Sequence, residues 1–317
     1  MSTQNPPEFS FNQQHLIGLA DYSPAEIAFV LEQAAYFREV LNRPVPKLPS
    51  LRDKTVVNLF YENSTRTRLS FELAQKRMGA DVVNFSSSSS SVNKGESLKD
   101  TIRNIEAMKI DMVVVRHESP GTAHFLKRCV DASIINAGDG AHEHPTQALL
   151  DMFSMQQAAG RIKGLKIVII GDILHSRVVR SNIIGLTRLG AEVMLCGPKS
   201  MMPLFIEEMG VQVSYDLDAC LAWCDVAMAL RIQLERQTGG ASLFSSTREY
   251  HEQFGIKMKH LRRHPEMILM HPGPINRGVE MENDVADSGR AIILNQVTNG
   301  LAVRMAVLYL LSGRREI

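Results

Sequence analysis

Seven short polar motifs carry most of the residues in this chain that could do chemistry. The first is "ENSTRTR", residues 62–68, which stands in front of an amphipathic run. With Ser64 as N-cap, the backbone N–H groups of Thr65, Arg66 and Thr67 have no acceptor inside the helix and lie at its positive end. Such an end binds anions, phosphate above all, and a guanidinium at Arg66 adds a fork of donors matched to phosphate oxygens. The plainer alternative is a capped helix with solvated arginines. No G-x-x-x-x-G-K-[ST] occurs, so this is not a nucleotide P-loop.

The remaining motifs offer complementary groups. "SSSVNKGES", residues 89–97, is small and polar and carries one lysine, Lys94. Loops of this kind close over ligands, although a solvated linker has the same composition. "RHES" presents Arg116, and "HEHPTQ" presents His144 and Gln147. His144 can donate to a carbonyl oxygen and Gln147 can hold an amide. His142 and His144 together can suggest a metal, but no third ligand stands at suitable spacing. "GDILHSR", residues 171–177, occupies the place of a dinucleotide fingerprint, yet no glycine follows Gly171 until Gly185. Nicotinamide binding is therefore disfavoured. Arg177 in that motif and Arg231 in "LRIQLER" suit carboxylates; isolated surface arginines are the bland alternative. The last motif is "HPGPINRG", residues 271–278.

The elements that must position these groups follow from the hydrophobic pattern. Of the 317 residues, 44% are hydrophobic and 22% charged, which reads as a soluble globular chain long enough for two domains. A net charge of +1 gives no global pull toward nucleic acid or membrane. No apolar stretch approaches the roughly 20 residues of a bilayer span. "MSTQNPPEFSFNQQ" lacks the layout of a signal peptide, so a cytoplasmic location is expected. The four cysteines, Cys129, Cys196, Cys220 and Cys224, read as reduced thiols, with no second Cys/His pair at finger spacing.

"DYSPAEIAFVLEQAAYF" opens a helix, with Ser23 as N-cap, Pro24 in the first turn and Glu26 completing a capping box. From residue 55, short unalternating apolar segments alternate with helical ones: "TVVNLFY", "DVVNF", "DMVVVRH" and "SIINAG" as strands, then a second series with "KIVIIGD", "AEVMLCG", "VQVSY", "DVAMALR" and "EMILMHP". Such strands indicate parallel sheets covered on both faces. The helix "TRTRLSFELAQKRMGA" is expected to bury Leu69, Phe71, Leu73, Ala74 and Met78. The fold expected is α/β, two doubly wound domains with the active site in the cleft between them. One domain spans 1–147, completed by a C-terminal helix within 297–317, and the other spans 148–296. Each of the seven motifs follows a strand, and ligands in doubly wound sheets bind at the carboxyl ends of strands.

In order and spacing, "FYENSTRTRLSFE", "SVNKGES", "RH", "NAGDGAHEHPTQALLD", "GDILHSR", "LRIQLER" and "HPGPINRGVE" resemble the aspartate/ornithine carbamoyltransferase family, over nearly everything from residue 15 to 312. The resemblance is stronger to its aspartate-specific members. It implies transfer of the carbamoyl group of carbamoyl phosphate to the amino group of L-aspartate, an early step of pyrimidine biosynthesis, with no metal and no other cofactor. It implies that Ser64, Thr65, Arg66 and Thr67 hold the phosphate. Arg116 bridges the phosphate and the carbonyl oxygen, which His144 and Thr67 also polarise. Gln147 and the backbone carbonyls of Gly273 and Pro274 hold the carbamoyl amino group. Arg177 and Arg231 take the aspartate carboxylates, with Gln233 nearby. Ser91 and Lys94 reach in from a neighbouring subunit of a homotrimer, Lys94 meeting both substrates. Relatives also assemble with regulatory or dihydroorotase-like chains.

The chemistry agrees with that assignment. Attack of a neutral amine on a carbamoyl carbonyl needs a dianion site, an oxyanion hole and an oriented nucleophile. A helix N-terminus supplies the first; Arg116, His144 and Thr67 supply the second, where one lost donor typically costs about 3 kcal/mol. Two arginines on two carboxylates supply the third. Ornithine carbamoyltransferases share the phosphate half but usually carry cysteine in the "HPTQ" slot and a Ser-Met-Gly stretch. This chain has Thr146 and no such tripeptide, and it offers arginines to the second substrate. A catalytically silent subunit is a third reading; every catalytic position here holds a competent residue.

Overall fold

The structure, a computed structural model, describes residues 10–86, 96–233 and 246–313. After α1 (Pro24–Leu41), the first half alternates β1 (Thr55–Phe60), α2 (Thr65–Arg77), β2 (Asp81–Ser86), α3 (Leu98–Ala107), β3 (Met112–His117), α4 (Thr122–Lys127) and β4 (Ser133–Asp139). The long helix α5 (Pro145–Ala159) leads to β5 (Lys166–Ile170), α6 (Arg177–Arg188), β6 (Glu192–Cys196) and β7 (Gln212–Ser214). Then come α7 (Leu217–Trp223), β8 (Val226–Ala229), α8 (Thr247–Phe254), α9 (Met258–Arg263), β9 (Ile268–Met270), α10 (Asn283–Ala286) and α11 (Ile293–Ser312).

Two parallel sheets result, in the orders β2-β1-β3-β4 and β7-β6-β5-β8-β9. Every strand pair is parallel, with Val57 opposite Val83 and Val113, and Ile169 opposite Leu195 and Met228. All seven residues of β4 are buried, as are Val56–Phe60 of β1. Burial on both faces explains why these strands show runs of Val and Ile without polar alternation. In each sheet the order reverses beside the first strand formed, which opens a crevice at the carboxyl ends, and the polar motifs gather there.

Local signals and packing agree at most element ends. Ser23 and Glu26 form the expected capping box, with Glu26 N–H donating to Ser23 Oγ at 3.2 Å and Ser23 N–H to Glu26 Oε2 at 2.8 Å. The C-terminal helix begins at Ile293, four residues before the expected 297, and packs on α1, α2 and α5. One expectation is corrected. On α2, Phe71, Ala74 and the capping Met78 are buried, but Leu69 is 53% and Leu73 39% exposed. The inward face instead carries Thr67, Phe71, Ala74 and Gln75, and Gln75 pairs with Asn58 of β1 through two amide hydrogen bonds. The helix is therefore turned so that its two leucines face away from this chain's core. Among the described residues, no helix is long and apolar enough to cross a membrane.

Candidate active site

Twelve of the residues proposed from the motifs line one cavity of about 640 Å³: Ser64, Thr65, Arg66, Thr67, Arg116, His144, Gln147, Arg177, Arg231, Gln233, Gly273 and Pro274. Ser91 and Lys94 lie outside the described residues. His142, the other half of the histidine pair, does not line the cavity; its Nδ1 lies 3.1 Å from Asp139 Oδ2.

The anion end of the cavity is the start of α2. Ser64 is extended there, at φ −157° and ψ 90°, and its side chain makes no capping hydrogen bond. The first turn holds no acidic residue, so no carboxylate in that turn opposes an incoming anion. Arg66 and Arg231 come from opposite halves of the chain and face each other closely enough to interact. Partial burial and the Arg231 charge hold the Arg66 guanidinium below its ordinary range. His271, at the end of β9, is wholly buried. Burial, with the charges of Arg66 and Arg231, pushes it down to about 3, so its imidazole is neutral at neutral pH. Its Nδ1 accepts from the N–H of Gly273 at 2.8 Å and so shapes the loop that carries the Gly273 and Pro274 carbonyls. Gly273 sits at φ +66°, where a glycine is unstrained.

Arg116 leaves the end of β3 and Arg177 opens α6, so each sheet contributes one arginine to the middle of the cavity. Arg116 Nη1 donates to the Ala137 carbonyl at 3.0 Å and Nη2 to Glu62 Oε1 at 2.6 Å. Arg177 donates to both Glu62 oxygens, at 2.9 and 2.6 Å. Both guanidiniums also crowd against Gly138. A Cβ on Gly138 would stand 2.9 Å from Arg177 Cζ and 3.1 Å from Arg116 Nη1, and its φ is +114°. The position must be glycine for the two arginines to approach as they do.

His144 precedes α5 and is buried. Its N–H donates to Ser181 Oγ at 2.9 Å, and Ser181 Oγ donates to Glu143 Oε2 at 2.9 Å, which ties the start of α5 to α6. Gln147, one turn along, gives its NH2 to Asp151. At the floor, Arg304 of α11 donates to Ser70 Oγ at 3.1 Å and lies 5.1 Å from the Phe71 ring centroid. Burial pushes it down to about 10, opposed by the charge of Asp151.

This arrangement can bind a dianion at the α2 terminus and a second anion beside Arg177 and Arg231, with donors aimed between them. Glu62, Gly138, Asp151, His271 and Arg304 were not singled out from the sequence. Glu62, Gly138, Asp151 and His271 stand inside quoted motifs, and for Glu62 a carboxylate beside so many arginines was the available signal. The others depend on distances between elements.

Comparison with known proteins agrees with the geometry. Residues 14–157 match the aspartate/ornithine carbamoyltransferase, carbamoyl-P binding domain, and residues 163–311 match the Asp/Orn binding domain of the same family. The chain is 59% identical over 303 residues to the aspartate carbamoyltransferase catalytic subunit of Cytophaga hutchinsonii, covering 95% of this chain and 98% of that one. Its fold superposes on aspartate transcarbamoylase from Trypanosoma cruzi in complex with carbamoyl phosphate, with TM-score 0.85 and 31% identity over 96% of this chain and 98% of that one. The ornithine carbamoyltransferase of Pyrococcus furiosus is nearly as similar in fold, with TM-score 0.84, 27% identity, and 97% and 99% coverage. Fold alone thus does not separate the two substrate branches, but both halves of the chain, and the cavity where they meet, place it in the aspartate/ornithine carbamoyltransferase family.

Proposed function

We propose that this protein transfers the carbamoyl group of carbamoyl phosphate to the amino nitrogen of L-aspartate, giving N-carbamoyl-L-aspartate and phosphate. The observation that carries the reading is the convergence, in one cavity, of a helix N-terminus free of acidic residues with arginines from both halves of the chain. Ser64, Thr65, Arg66 and Thr67 hold the phosphate. Arg116, His144 and Thr67 polarise the carbonyl oxygen, while Gln147 and the carbonyls of Gly273 and Pro274 accept from the carbamoyl NH2. Arg177 and Arg231, with Gln233 beside them, fix the aspartate carboxylates. The amine lone pair attacks the carbonyl carbon and forms the C–N bond. The C–O bond to phosphate then breaks, and phosphate leaves with the electron pair and can take the amine proton.

Ornithine is the competing second substrate. Its side-chain ammonium would face Arg177 and Arg231, a like-charge clash that works against it. We divide the chain as 1–147 with 297–317 for carbamoyl phosphate and 148–296 for aspartate; the cavity lies where these parts meet. Titration with N-(phosphonacetyl)-L-aspartate tests the substrate pair: one equivalent per chain should bind and should be displaced competitively by carbamoyl phosphate. Binding that ignores carbamoyl phosphate would refute the shared site.

The reading extends to a homotrimer in which Lys94 and Ser91 serve a neighbour's cavity. Exposed Leu69 and Leu73 on α2, and exposed Val83 on the edge strand β2, support a surface covered by another copy. Lys94→Ala and Arg66→Ala chains, inactive alone and refolded together, should recover about one quarter of wild-type activity in a closed ring with random mixing. Mixed trimers without activity above the parents would place Lys94 in its own chain's site.

A further inference from the structure

Behind the cavity wall, on α5, lies Asp151, with no exposed surface. Its Oδ1 accepts from Gln147 Nε2 at 3.0 Å and from Gln296 Nε2 at 2.8 Å, and its Oδ2 accepts from Asn182 Nδ2 at 3.0 Å. Gln296 in turn accepts the backbone N–H of His271 through Oε1 at 3.0 Å. One carboxylate thus joins the cavity-lining glutamine of α5 to the base of the 271–274 loop.

Donor and acceptor chemistry fixes the orientation of both amides. The His271 N–H can only donate, so Gln296 must turn its oxygen toward it and its NH2 toward Asp151. A carboxylate can only accept, so Gln147 must also turn its NH2 inward. That leaves Gln147 Oε1 as the atom presented to the cavity. Burial pushes the Asp151 carboxyl up to about 6, while its amide donors and Arg304 hold it down, so it remains an acceptor at neutral pH.

We propose that Asp151 is a positioning residue that fixes Gln147 as a hydrogen-bond acceptor and so sets the site's preference for an acyl phosphate bearing NH2 over one bearing a methyl group. The inference rests on the reading that Gln147 meets the carbamoyl amino group. Without the Asp151 oxygen, the Gln147 amide is free to turn over and set its own NH2 against that of the ligand. A site built around a hydrogen bond rejects the analogue that lacks it, and loses that rejection when the partner is no longer held.

Affinities for carbamoyl phosphate, acetyl phosphate and inorganic phosphate, measured by calorimetry on the whole protein, test this. The wild-type chain should prefer carbamoyl to acetyl phosphate by roughly tenfold or more, as expected for a designated hydrogen bond. Asp151→Ala should reduce that preference at least about fivefold while phosphate affinity stays within about threefold, because only the amide contact is released. Asp151→Ser carries the same expectation should the alanine chain not fold. Asp151→Asn should restore most of the preference. Its oxygen can still serve both glutamines, and its NH2 can face Asn182 Oδ1, which has no hydrogen-bond partner among the described residues. An unchanged preference in Asp151→Ala or Asp151→Ser, or equal weakening of all three ligands, overturns the proposal. Gln147→Met separates the two levels. If it leaves the preference intact, the reading of Gln147 fails and this inference with it. If it erases the preference and the Asp151 variants do not, only the positioning role fails.

Discussion

Glu62 grips Arg177 with both carboxylate oxygens, at 2.6 and 2.9 Å, although the two residues are 115 positions apart, one in the loop after β1 and the other at the start of α6. The same carboxylate reaches Arg116 at 2.6 Å. Two guanidiniums, to which the proposed function gives anionic ligands, are thus held side by side by one acid. The acid offsets their repulsion and fixes the distance between the two halves of the site.

Glu62→Ala should therefore damage the aspartate half of the reaction most. The Arg177 side chain is only 5% exposed, so losing its partner strands a charge, an effect of about 2–3 kcal/mol or roughly 30- to 160-fold in kcat/KM for aspartate. Glu62→Gln, which keeps one acceptor oxygen but loses the charge and the second acceptor, should fall between. Steady-state kinetics at saturating carbamoyl phosphate reads the effect. Tighter aspartate use in Glu62→Ala would show that the carboxylate competes with substrate instead of organising the site.

Gly138→Ala tests the crowding of the same arginines. The added methyl would meet Arg177 Cζ and Nε at 2.9 Å, and alanine at φ +114° is strained in addition. A stability loss of about 1–3 kcal/mol is expected from the backbone alone. Activity should fall further than stability explains, because both guanidiniums must move. Urea unfolding and kinetics on the same preparation separate the two losses; near-wild-type kcat/KM would contradict the geometry.

His271 gives the pH dependence of stability a definite sign. Its folded value near 3 lies below the ordinary histidine value of 6.5, through burial first and then Arg66 and Arg231. Between those values the unfolded chain binds the proton and the folded chain does not. The contribution of His271 to stability is therefore full above about pH 6.5 and is lost as pH falls toward 3, with a slope of up to about 1.4 kcal/mol per pH unit. His15, pushed down to about 4, acts in the same direction. His271→Asn keeps an acceptor for the Gly273 N–H. It should flatten the stability profile between pH 7 and 5 by close to one proton in urea titrations, and equal slopes would show that His271 charges without cost.

Much of this was written in local sequence. Ser23, Ser64, His144 and Ser176 stand just before helices, and the apolar strands have no polar alternation because both sheets are covered on both faces. Arg66, Arg116, Arg177 and Arg231 could be picked out because each stands at or just beyond the carboxyl end of a strand, and the strand ends meet in one crevice. Glu62 could not be assigned a partner, since nothing in the spacing of 62, 116 and 177 states that a loop, a strand end and a helix start converge. The phase of α2 was also hidden. Leu69 and Leu73 look like core residues by composition, yet the Asn58–Gln75 amide pair faces the sheet in their place. Asp151 lies one turn beyond Gln147, a spacing that also suits an ordinary pair on the same helix.

The central claim is that this cavity pairs carbamoyl phosphate with a dicarboxylate amine. Product formation from carbamoyl phosphate should be compared with L-aspartate and L-ornithine as acceptors, under one set of conditions. The account predicts turnover with aspartate and at least a roughly 100-fold lower kcat/KM with ornithine, a discrimination of about 2.7 kcal/mol that a like-charge clash with Arg177 and Arg231 readily supplies. Efficient carbamoylation of ornithine, or none of aspartate, would contradict it.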